Sequence, residues 1–284
     1  MQEALDELVR LLALEPIEVN IFRGQSTDET RQRVFGGQVA AQALVAAART
    51  VEDAGRLVHS LHAYFLRPGN PTAPILYEVD RLRDGRSFST RRVVAIQHGR
   101  AIFNLQASFH ISEPGPDHQL TMPAGVPAPE DLPDFATRMA PYREQFGDLL
   151  DRPRPIDLRY VDGDSLSRKG ERSDSQRVWL RADGELPDDP VVHACLITYA
   201  SDMTLLDTTV RPFGLAWDTH GIQMASLDHA MWFHRPFRAD EWLLYDQVAV
   251  SSGSARGLAG GTIFTRDGRL AVSVVQEGLA RVSG

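Results

Sequence analysis

The sequence predicts an α+β protein of two tandem units, each built from one long helix and a curved antiparallel sheet that wraps around it. The first observation behind this prediction is an internal repeat, in which HAYFLRP at residues 62–68 resembles AMWFHRP at residues 230–236. The second is that both halves place one apolar helical segment before a series of strand segments. The third is that short turns join consecutive strands, which makes them antiparallel. We therefore expect the two units to complete one larger sheet.

The repeat continues beyond this aromatic strand, which indicates duplication of a whole unit. The spacing that relates Phe65 to Phe233 recurs through the following strands, with one residue inserted at a hairpin. The other matched pairs are Tyr64 and Trp232, Arg67 and Arg235, Pro68 and Pro236, Gly85 and Gly253, Gly99 and Gly268, Phe103 and Val272, and Ala107 and Gln276. The second copy thus carries polar groups that the first lacks, among them Gln276 at the position of Ala107.

The elements follow from periodicity and turn residues. The first 15 residues have leucines at helical spacing and acids from the third residue onward, which predicts a capping helix rather than a signal peptide. Apolar helices are predicted over 35–50 and 188–202. Strand segments bounded by turn signals are predicted after each helix, over 59–68, 74–82, 87–98 and 101–111 in the first half and over 224–236, 241–252, 254–266 and 270–282 in the second.

The chain is expected to divide into three parts. Residues 1–112 form the first unit and residues 156–284 the second. Between them, residues 113–155 hold nine of the seventeen prolines, which predicts a linker with one short helix around 134–150.

Composition narrows the class of function. With 43% hydrophobic and 24% charged residues, and no apolar run of membrane-spanning length, the chain is expected to be a soluble protein without membrane insertion. A net charge of -8 disfavours nucleic acid as a partner, since duplex binding relies on a basic surface. Cys195 is the only cysteine, which rules out an internal disulfide and indicates a reducing compartment, here the cytoplasm. We expect this thiol to be buried packing.

Several motifs of enzymes are missing. No G-x-S-x-G segment is present, which disfavours an α/β-hydrolase. There is also no H-E-x-x-H, Walker loop or G-x-G-x-x-G, and the histidines are scattered. We therefore expect neither a metal nor a cofactor.

Several longer motifs occur in a consistent order: VFGGQVAAQAL, LVHSLHAYFLRPG, GRSFSTRRVVAIQ, ASDMTLL, SLDHAMWFHRPF, SGSARG and VVQEG. Together they resemble the acyl-CoA thioesterase II family. The resemblance spans residues 5 to 281 and is weakest in the linker and around 163–175. It implies a double hotdog fold and an acyl-CoA hydrolase that releases free CoA and a carboxylic acid from medium- to long-chain fatty acyl-CoA. It also implies association into homodimers or homotetramers.

The resemblance also implies three catalytic residues. Asp202 of ASDMTLL corresponds to the family's aspartate, Ser226 of SLDHAMWF to its threonine or serine, and Gln276 of VVQEG to its glutamine. Thioester hydrolysis needs a directed water and a base for its proton, and these side chains suit that task because Asp202 accepts a proton while Ser226 and Gln276 can hold a water between them.

Further residues are candidates for the substrate site. Gly36 and Gly37 begin the first helix, whose N–H groups could contact an oxyanion or substrate, although two glycines would equally allow close helix packing. His59 lies in a segment that the family shares. Arg91, Arg92 and Arg256 are candidates for the CoA phosphates. Asp228 could support the site from behind, whereas a structural role is expected for His229 and His234.

The sequence leaves two other functions and one other catalytic mechanism open. A hotdog enoyl-CoA hydratase would keep the fold, but its Asp-x-Asn-Pro-x-His signature is absent. A non-catalytic acyl-CoA-binding module would bind without turnover. Ser226 could also act as a covalent nucleophile, although no histidine is assigned as its base by spacing.

Overall fold

The computed structural model describes residues 1–26, 33–164 and 166–282. The first half contains helix α1 and two short strands, then a buried helix and four long strands. Their bounds are α1 Gln2–Leu12, β1 Glu15–Glu18, β2 Ile21–Gly24, α2 Gly36–Ala48, β3 Arg56–Phe65, β4 Ile75–Asp84, β5 Phe88–Gln97 and β6 Arg100–Ile111.

The linker and second half follow the same order. Short helices α3 Phe135–Met139 and α4 Arg143–Phe146 lie in the linker, with single 3-10 turns around them. The later elements are β7 Ile156–Tyr160, β8 Ser175–Ala182, α5 Pro190–Ser201, β9 Ile222–Ser226, β10 Asp228–Phe233, β11 Leu243–Gly253, β12 Arg256–Thr265 and β13 Leu270–Val282.

All thirteen strands of the described residues belong to one antiparallel sheet. Its order is β1-β2-β4-β5-β6-β3-β10-β13-β12-β11-β8-β7, with β9 pairing β13. The two halves join where β3 pairs with β10, from Tyr64 opposite Asp228 to Ser60 opposite Trp232. The predicted larger sheet is confirmed, and so is the repeat: Phe65 pairs with Phe103 in the first half as Phe233 pairs with Val272 in the second.

The sheet wraps around α2 and α5, which pack against each other. Both helices are apolar on nearly all faces, as expected of helices covered on every side. Their close approach requires glycine at one point, because a Cβ on Gly37 would lie 2.5 Å from the carbonyl oxygen of Tyr199 in α5. The predicted helices are therefore confirmed, with ends shifted by a few residues.

Two details differ from the sequence prediction. Each unit was expected to begin with its helix, but β1 and β2 precede α2, and β7 and β8 precede α5. The strand expected over 224–236 is two strands, because Leu227 interrupts it. The Leu227 N–H donates to the Glu277 carbonyl at 2.9 Å, while the Leu227 carbonyl accepts from the Phe65 N–H at 2.9 Å.

The linker lies against the outer face of the second-half sheet. The indole N–H of Trp179 donates to the Pro127 carbonyl at 2.9 Å, and the Gln119 side-chain amide donates to the Gly268 carbonyl at 2.8 Å. None of the helices in the described ranges has the length and apolar composition needed to cross a membrane.

Candidate active site

The three predicted catalytic side chains meet at the carboxyl end of α5. Asp202 caps this helix, and its Oδ1 accepts hydrogen bonds from the Gln276 amide Nε2 at 2.5 Å and from the Ser226 hydroxyl at 3.3 Å. Residues far apart in the chain are thus held around one carboxyl group.

The sheet brings Ser226 and Gln276 to the same point. Ser226 ends β9 opposite Gly278 of β13, and Gln276 lies two residues before Gly278 on that strand. Because alternate residues of a strand share a face, Gln276 and Gly278 both face inward. A side chain at Gly278 would collide with Leu206, so glycine here lets the chain after α5 lie against the strand.

The Asp202 carboxyl is a much weaker acid than an ordinary aspartate. Burial raises its pKa from 3.8 to about 6, because the ionised form loses its hydration. Hydrogen bonds from Gln276, Ser226 and the Gly37 N–H, together with the charge of Arg33, act in the opposite direction. With a pKa of about 6, the carboxyl is mostly ionised at pH 7 but binds a proton more readily than an ordinary aspartate, as suits a general base.

Gln276 supports this carboxyl from behind. Its side chain is completely buried and its amide nitrogen must face Asp202, since a carboxylate oxygen can only accept. The other amide atom, Oε1, has no hydrogen-bond partner among the described residues. An acceptor next to the carboxyl thus remains available.

A cavity of about 620 Å³ opens in front of Asp202 and Ser226. Residues from both halves of the chain form its wall, and most of them are apolar. The apolar members are Val34, Phe35, Val39, Phe65, Leu66, Pro68, Ile102, Phe103, Met203, Leu206, Met224, Ala225 and Leu227. A cavity with an apolar wall and a few polar groups at one point is typical of a small-molecule site.

The two glycines at the start of α2 lie at different points of this site. Gly36 is part of the cavity wall, and a Cβ there would lie 2.8 Å from Asp202 Oδ2. Gly37 is buried and its N–H donates to Asp202. Both glycines therefore adjoin the carboxyl, in addition to allowing α2 and α5 to pack closely.

His59 and Arg91 lie elsewhere, in the first-half counterpart of this site. His59 precedes Phe65 by the same spacing as Leu227 precedes Phe233, and its ring bonds the Ser108 hydroxyl at 2.8 Å. Neither His59 nor Arg91 is part of the cavity wall.

Arg91 shows how this counterpart has changed. Arg91 pairs with Ala107 on the neighbouring strand, just as Ala259 pairs with Gln276 in the second half. The Arg91 side chain is only 1% exposed, and it donates to the Thr50 hydroxyl at 2.8 Å, just beyond the end of α2. It also pairs with Asp84 at 2.7 Å. The Arg91 guanidinium is thus engaged in contacts within the protein rather than in the cavity.

The remaining arginine candidates are exposed and paired with acids. Arg92 lies 2.8 Å from Asp80, and Arg256 lies 3.0 Å from Glu277. Neither contributes to the cavity wall.

The polar residues after Ser226 have structural partners. Asp228 Oδ1 accepts the Glu277 N–H at 2.7 Å, next to Gln276, and burial raises the pKa of this carboxyl. His229 is buried against the Ser201 hydroxyl at 2.9 Å, and burial lowers its pKa to about 4, so it is neutral near pH 7. The exposed His234 contacts the Ser273 hydroxyl at 2.8 Å. Within the described chain, no histidine hydrogen-bonds Ser226.

Sequence reasoning missed two arginines of the cavity wall, Arg33 and Arg67. Arg33 lies just before α2 and donates to the Met224 carbonyl at 3.1 Å. Arg67 belongs to the repeated Arg-Pro pair, which was noted as a sign of duplication but not as a sign of binding. Across the described ranges, no group of three or more histidine, cysteine, aspartate or glutamate side chains is arranged to hold a metal ion.

Comparison with known proteins adds independent observations. The family model for acyl-CoA thioesterase matches residues 156–279, and that for the acyl-CoA thioesterase N-terminal domain matches residues 25–110. The chain is 40% identical over 291 residues to acyl-CoA thioesterase 2 of Haemophilus influenzae, covering 100% of both proteins.

Solved structures show the same similarity in three dimensions. The structure of an acyl-CoA thioesterase II from Mycobacterium marinum is 46% identical, with a TM-score of 0.78 and coverage of 98% of this chain and 99% of that one. A protein of unknown function from Alicyclobacillus acidocaldarius, described as having a hot dog fold, is 19% identical with a TM-score of 0.79, covering 98% of this chain and 99% of its own. The predicted double hotdog fold is thus confirmed.

Proposed function

The chain belongs to the acyl-CoA thioesterase family and hydrolyses acyl-CoA thioesters, and we propose that it does so with Asp202 as the general base. The observation that carries this proposal is the Asp202 carboxyl itself. It lies at the wall of an apolar cavity, accepts hydrogen bonds from Ser226 and Gln276, and has a pKa of about 6. Carboxyl groups with a strongly raised pKa in a cleft are typical of functional sites.

In the proposed first step, a water molecule in the cavity attacks the thioester carbonyl carbon. Asp202 takes one proton from this water as the new C–O bond forms. Ser226 and Gln276 hold the carboxylate in place through Oδ1. The Ser226 hydroxyl oxygen, in the cavity wall, is the acceptor available to this water, whereas Gln276 is completely buried behind the wall and its Oε1 serves only a water that passes beyond it. The carbonyl oxygen becomes an oxyanion as its π bond breaks.

The oxyanion needs a hydrogen-bond donor. Gly36 is the first residue of α2, so its N–H has no partner within the helix, and it lies in the cavity wall beside Asp202. We assign this N–H, supported by the positive end of the helix dipole, to the oxyanion. The N–H of Gly37 instead fixes the Asp202 carboxyl.

In the second step, the oxyanion returns its electron pair to carbon and the C–S bond breaks. The CoA thiolate leaves with little assistance, because thiols are far stronger acids than alcohols, with a pKa near 8.5 for cysteine. The proton held by Asp202 passes to the thiolate. The products are a free carboxylic acid and CoA.

Free-thiol release from acyl-CoA tests the role of Asp202. Asp202→Asn is expected to lower kcat by about 100- to 10,000-fold, the usual contribution of a general base. Asp246→Asn is a suitable control, because burial raises the pKa of that half-buried carboxyl too, yet it lies outside the cavity wall. Equal rates in the wild type and Asp202→Asn would refute the assignment, and thiol release by the wild type distinguishes an enzyme from a binding module.

The role of Ser226 distinguishes direct hydrolysis from a covalent route. Its hydroxyl has Asp202 as a partner and no histidine base, which supports attack by water rather than by serine. Ser226→Thr should retain activity because the hydroxyl is retained, whereas Ser226→Ala should lose most of it. An acyl-enzyme on Ser226 in a single-turnover mass measurement would overturn this mechanism.

The apolar wall supports medium- to long-chain acyl groups as substrates. Each additional buried methylene contributes about 0.8 kcal/mol, or roughly fourfold in affinity. A panel of acyl-CoAs of increasing length should therefore show KM falling by about this factor per methylene until the cavity is filled. A KM that does not change with length would contradict this proposal.

We also propose that the enzyme is cytoplasmic, acts in lipid metabolism, and assembles as a homodimer or homotetramer. The family resemblance and the single buried cysteine support these proposals. In the same way, the family models and strand order support the three-part division at residues 1–112, 113–155 and 156–284. Light scattering after gel filtration measures the oligomeric state, and a monomer would contradict the proposed homodimer or homotetramer.

A further inference from the structure

The duplication places an arginine after the central strand of each half, and each arginine makes one equivalent hydrogen bond within its own half. Arg67 follows β3 and donates from Nη1 to the Ala101 carbonyl at 2.6 Å. Arg235 follows β10 and donates from Nη1 to the Leu270 carbonyl at 3.2 Å. Both carbonyls lie at the start of the adjacent long strand. The contact that the two halves have in common is therefore structural, since it ties the end of one strand to its neighbour.

The other guanidinium nitrogens of the two arginines have different surroundings. Nη2 of Arg235 pairs with Asp117 of the linker and also donates to the His118 carbonyl at 3.1 Å, and the side chain is only 17% exposed. Arg67 is exposed, and within the part of the chain that the structure describes no carboxylate lies within 4.0 Å of it. The positive charge is thus neutralised in one copy and retained in the other.

The retained charge faces the catalytic cavity. Arg67 is part of the wall that also contains Asp202 and Ser226, whereas Arg235 lies outside it. Arg33 lies in the same wall, and its charge acts on the Asp202 carboxyl. One further carboxylate, Asp207, lines this cavity. The two guanidinium and two carboxyl groups of this wall balance in formal charge, but the exposed Arg67 has no acid partner among the described residues, so its N–H groups are available to an anion.

The substrate of the proposed reaction supplies such an anion. The acyl group and thioester of acyl-CoA are uncharged, but the CoA portion carries a diphosphate and a 3′-phosphate. A planar guanidinium binds phosphate oxygens through two parallel N–H groups, which makes arginine well suited to this task. We propose that Arg67, assisted by Arg33, binds a phosphate of the CoA portion and so selects CoA thioesters over thioesters without phosphate. This inference rests on the proposed hydrolase function.

Steady-state kinetics with two substrates test it. The first substrate is an acyl-CoA, and the second is the matching S-acyl pantetheine, which has the same thioester and pantetheine arm but no terminal phosphates. In Arg67→Gln the KM for acyl-CoA should rise about 10-fold, the effect of losing a charged hydrogen bond, with kcat unchanged. The KM for S-acyl pantetheine should stay at the wild-type value. Arg67→Lys should restore part of the affinity for acyl-CoA because it retains the charge.

Arg235→Gln is the matched control, since it removes the equivalent strand contact from the other half. It should leave the ratio of the two KM values unchanged. If Arg67→Gln also leaves this ratio unchanged, either because neither KM changes or because both rise by the same factor, the phosphate contact is refuted and Arg67 is structural. If wild-type protein releases thiol from neither substrate, the hydrolase proposal itself fails, and that result is distinct from the failure of the Arg67 assignment.

Discussion

Replacing Asp202 by asparagine is expected to change how stability depends on pH, as well as to remove activity. A carboxyl with a higher pKa in the folded than in the unfolded chain binds its proton more tightly when folded. Its contribution to stability is therefore greatest below the unfolded pKa and is lost as pH rises through the folded pKa. Raising the pKa of Asp202 from 3.8 to about 6 corresponds to about 3 kcal/mol lost above pH 7.

About 1.4 kcal/mol of this loss should occur between pH 5 and pH 8, with the remainder at lower pH. Because the cavity admits solvent to the carboxyl, these values are upper limits. Asparagine cannot ionise, so Asp202→Asn should lack this part of the pH dependence. Fixed effects of the substitution, such as a changed contact with Gly37, are the same at both pH values and cancel in the comparison.

The assay is urea unfolding of the wild type and of Asp202→Asn at pH 5 and pH 8. The free energy of unfolding of the wild type should fall by up to about 1.4 kcal/mol more than that of the variant between the two pH values. Over the same range, kcat/KM of the wild type should rise with an apparent pKa of about 6, because only the ionised carboxyl accepts a proton. An identical change in stability for both proteins would refute the reasoning that this carboxyl is buried and ionised above pH 6.

Three further substitutions test neighbouring parts of the structure. Gly37→Ala should lower the free energy of unfolding by about 1–3 kcal/mol and also lower kcat, because the new Cβ lies 2.5 Å from the Tyr199 carbonyl oxygen. Urea unfolding and thiol release measure the two effects. A variant with wild-type stability and kcat would contradict the close helix contact. Arg91→Met should lower the free energy of unfolding by about 2–4 kcal/mol, because buried hydrogen bonds to Thr50 are lost, while KM for acyl-CoA stays constant. A raised KM together with wild-type stability would instead show that Arg91 contacts the substrate. Asp228→Asn should keep kcat within about threefold of the wild-type value, because the amide oxygen still accepts the Glu277 N–H. Asp228→Ala removes this hydrogen bond and should lower kcat about 10-fold. Equal kcat values for the two variants would show that the bond does not position Gln276.

The helices and long strands of this fold could be predicted from the sequence because their apolar patterns are long. The four strands before α2 and α5 could not. β1 has the sequence EPIE and is exposed throughout, so it lacks the alternation that marks a half-buried strand. β8 does show alternation, but it follows a loop with no repeat-related match, and the duplication was recognised only from the strands after the helices.

The candidate site divides in a similar way. Asp202, Ser226 and Gln276 were identified through the family resemblance, and the structure places them together. His59 was expected near the site because it lies in a segment that the family shares, and Arg91 was a candidate for the CoA phosphates, yet neither is part of the cavity wall. For Arg67, the repeat offered a signal in its Arg-Pro pair. The two arginines differ through the contact of Arg235 with Asp117, which depends on the path of the linker, and through the place of Arg67 in the cavity wall, and the repeat alone indicates neither.

The cavity wall is shared between the halves, and this limits how such a chain can be rebuilt. A hybrid with two copies of the second half would contain Asp202, Ser226 and Gln276 twice, but it would lose Gly36, Phe65 and Arg67 from the wall. In the proposed mechanism, both sets would then lack the Gly36 N–H assigned to the oxyanion, and the cavity would lack the wall that Phe65 contributes. The duplicated units have become complementary halves of one catalyst, so further evolution of either half is constrained by the surface that it presents to the other.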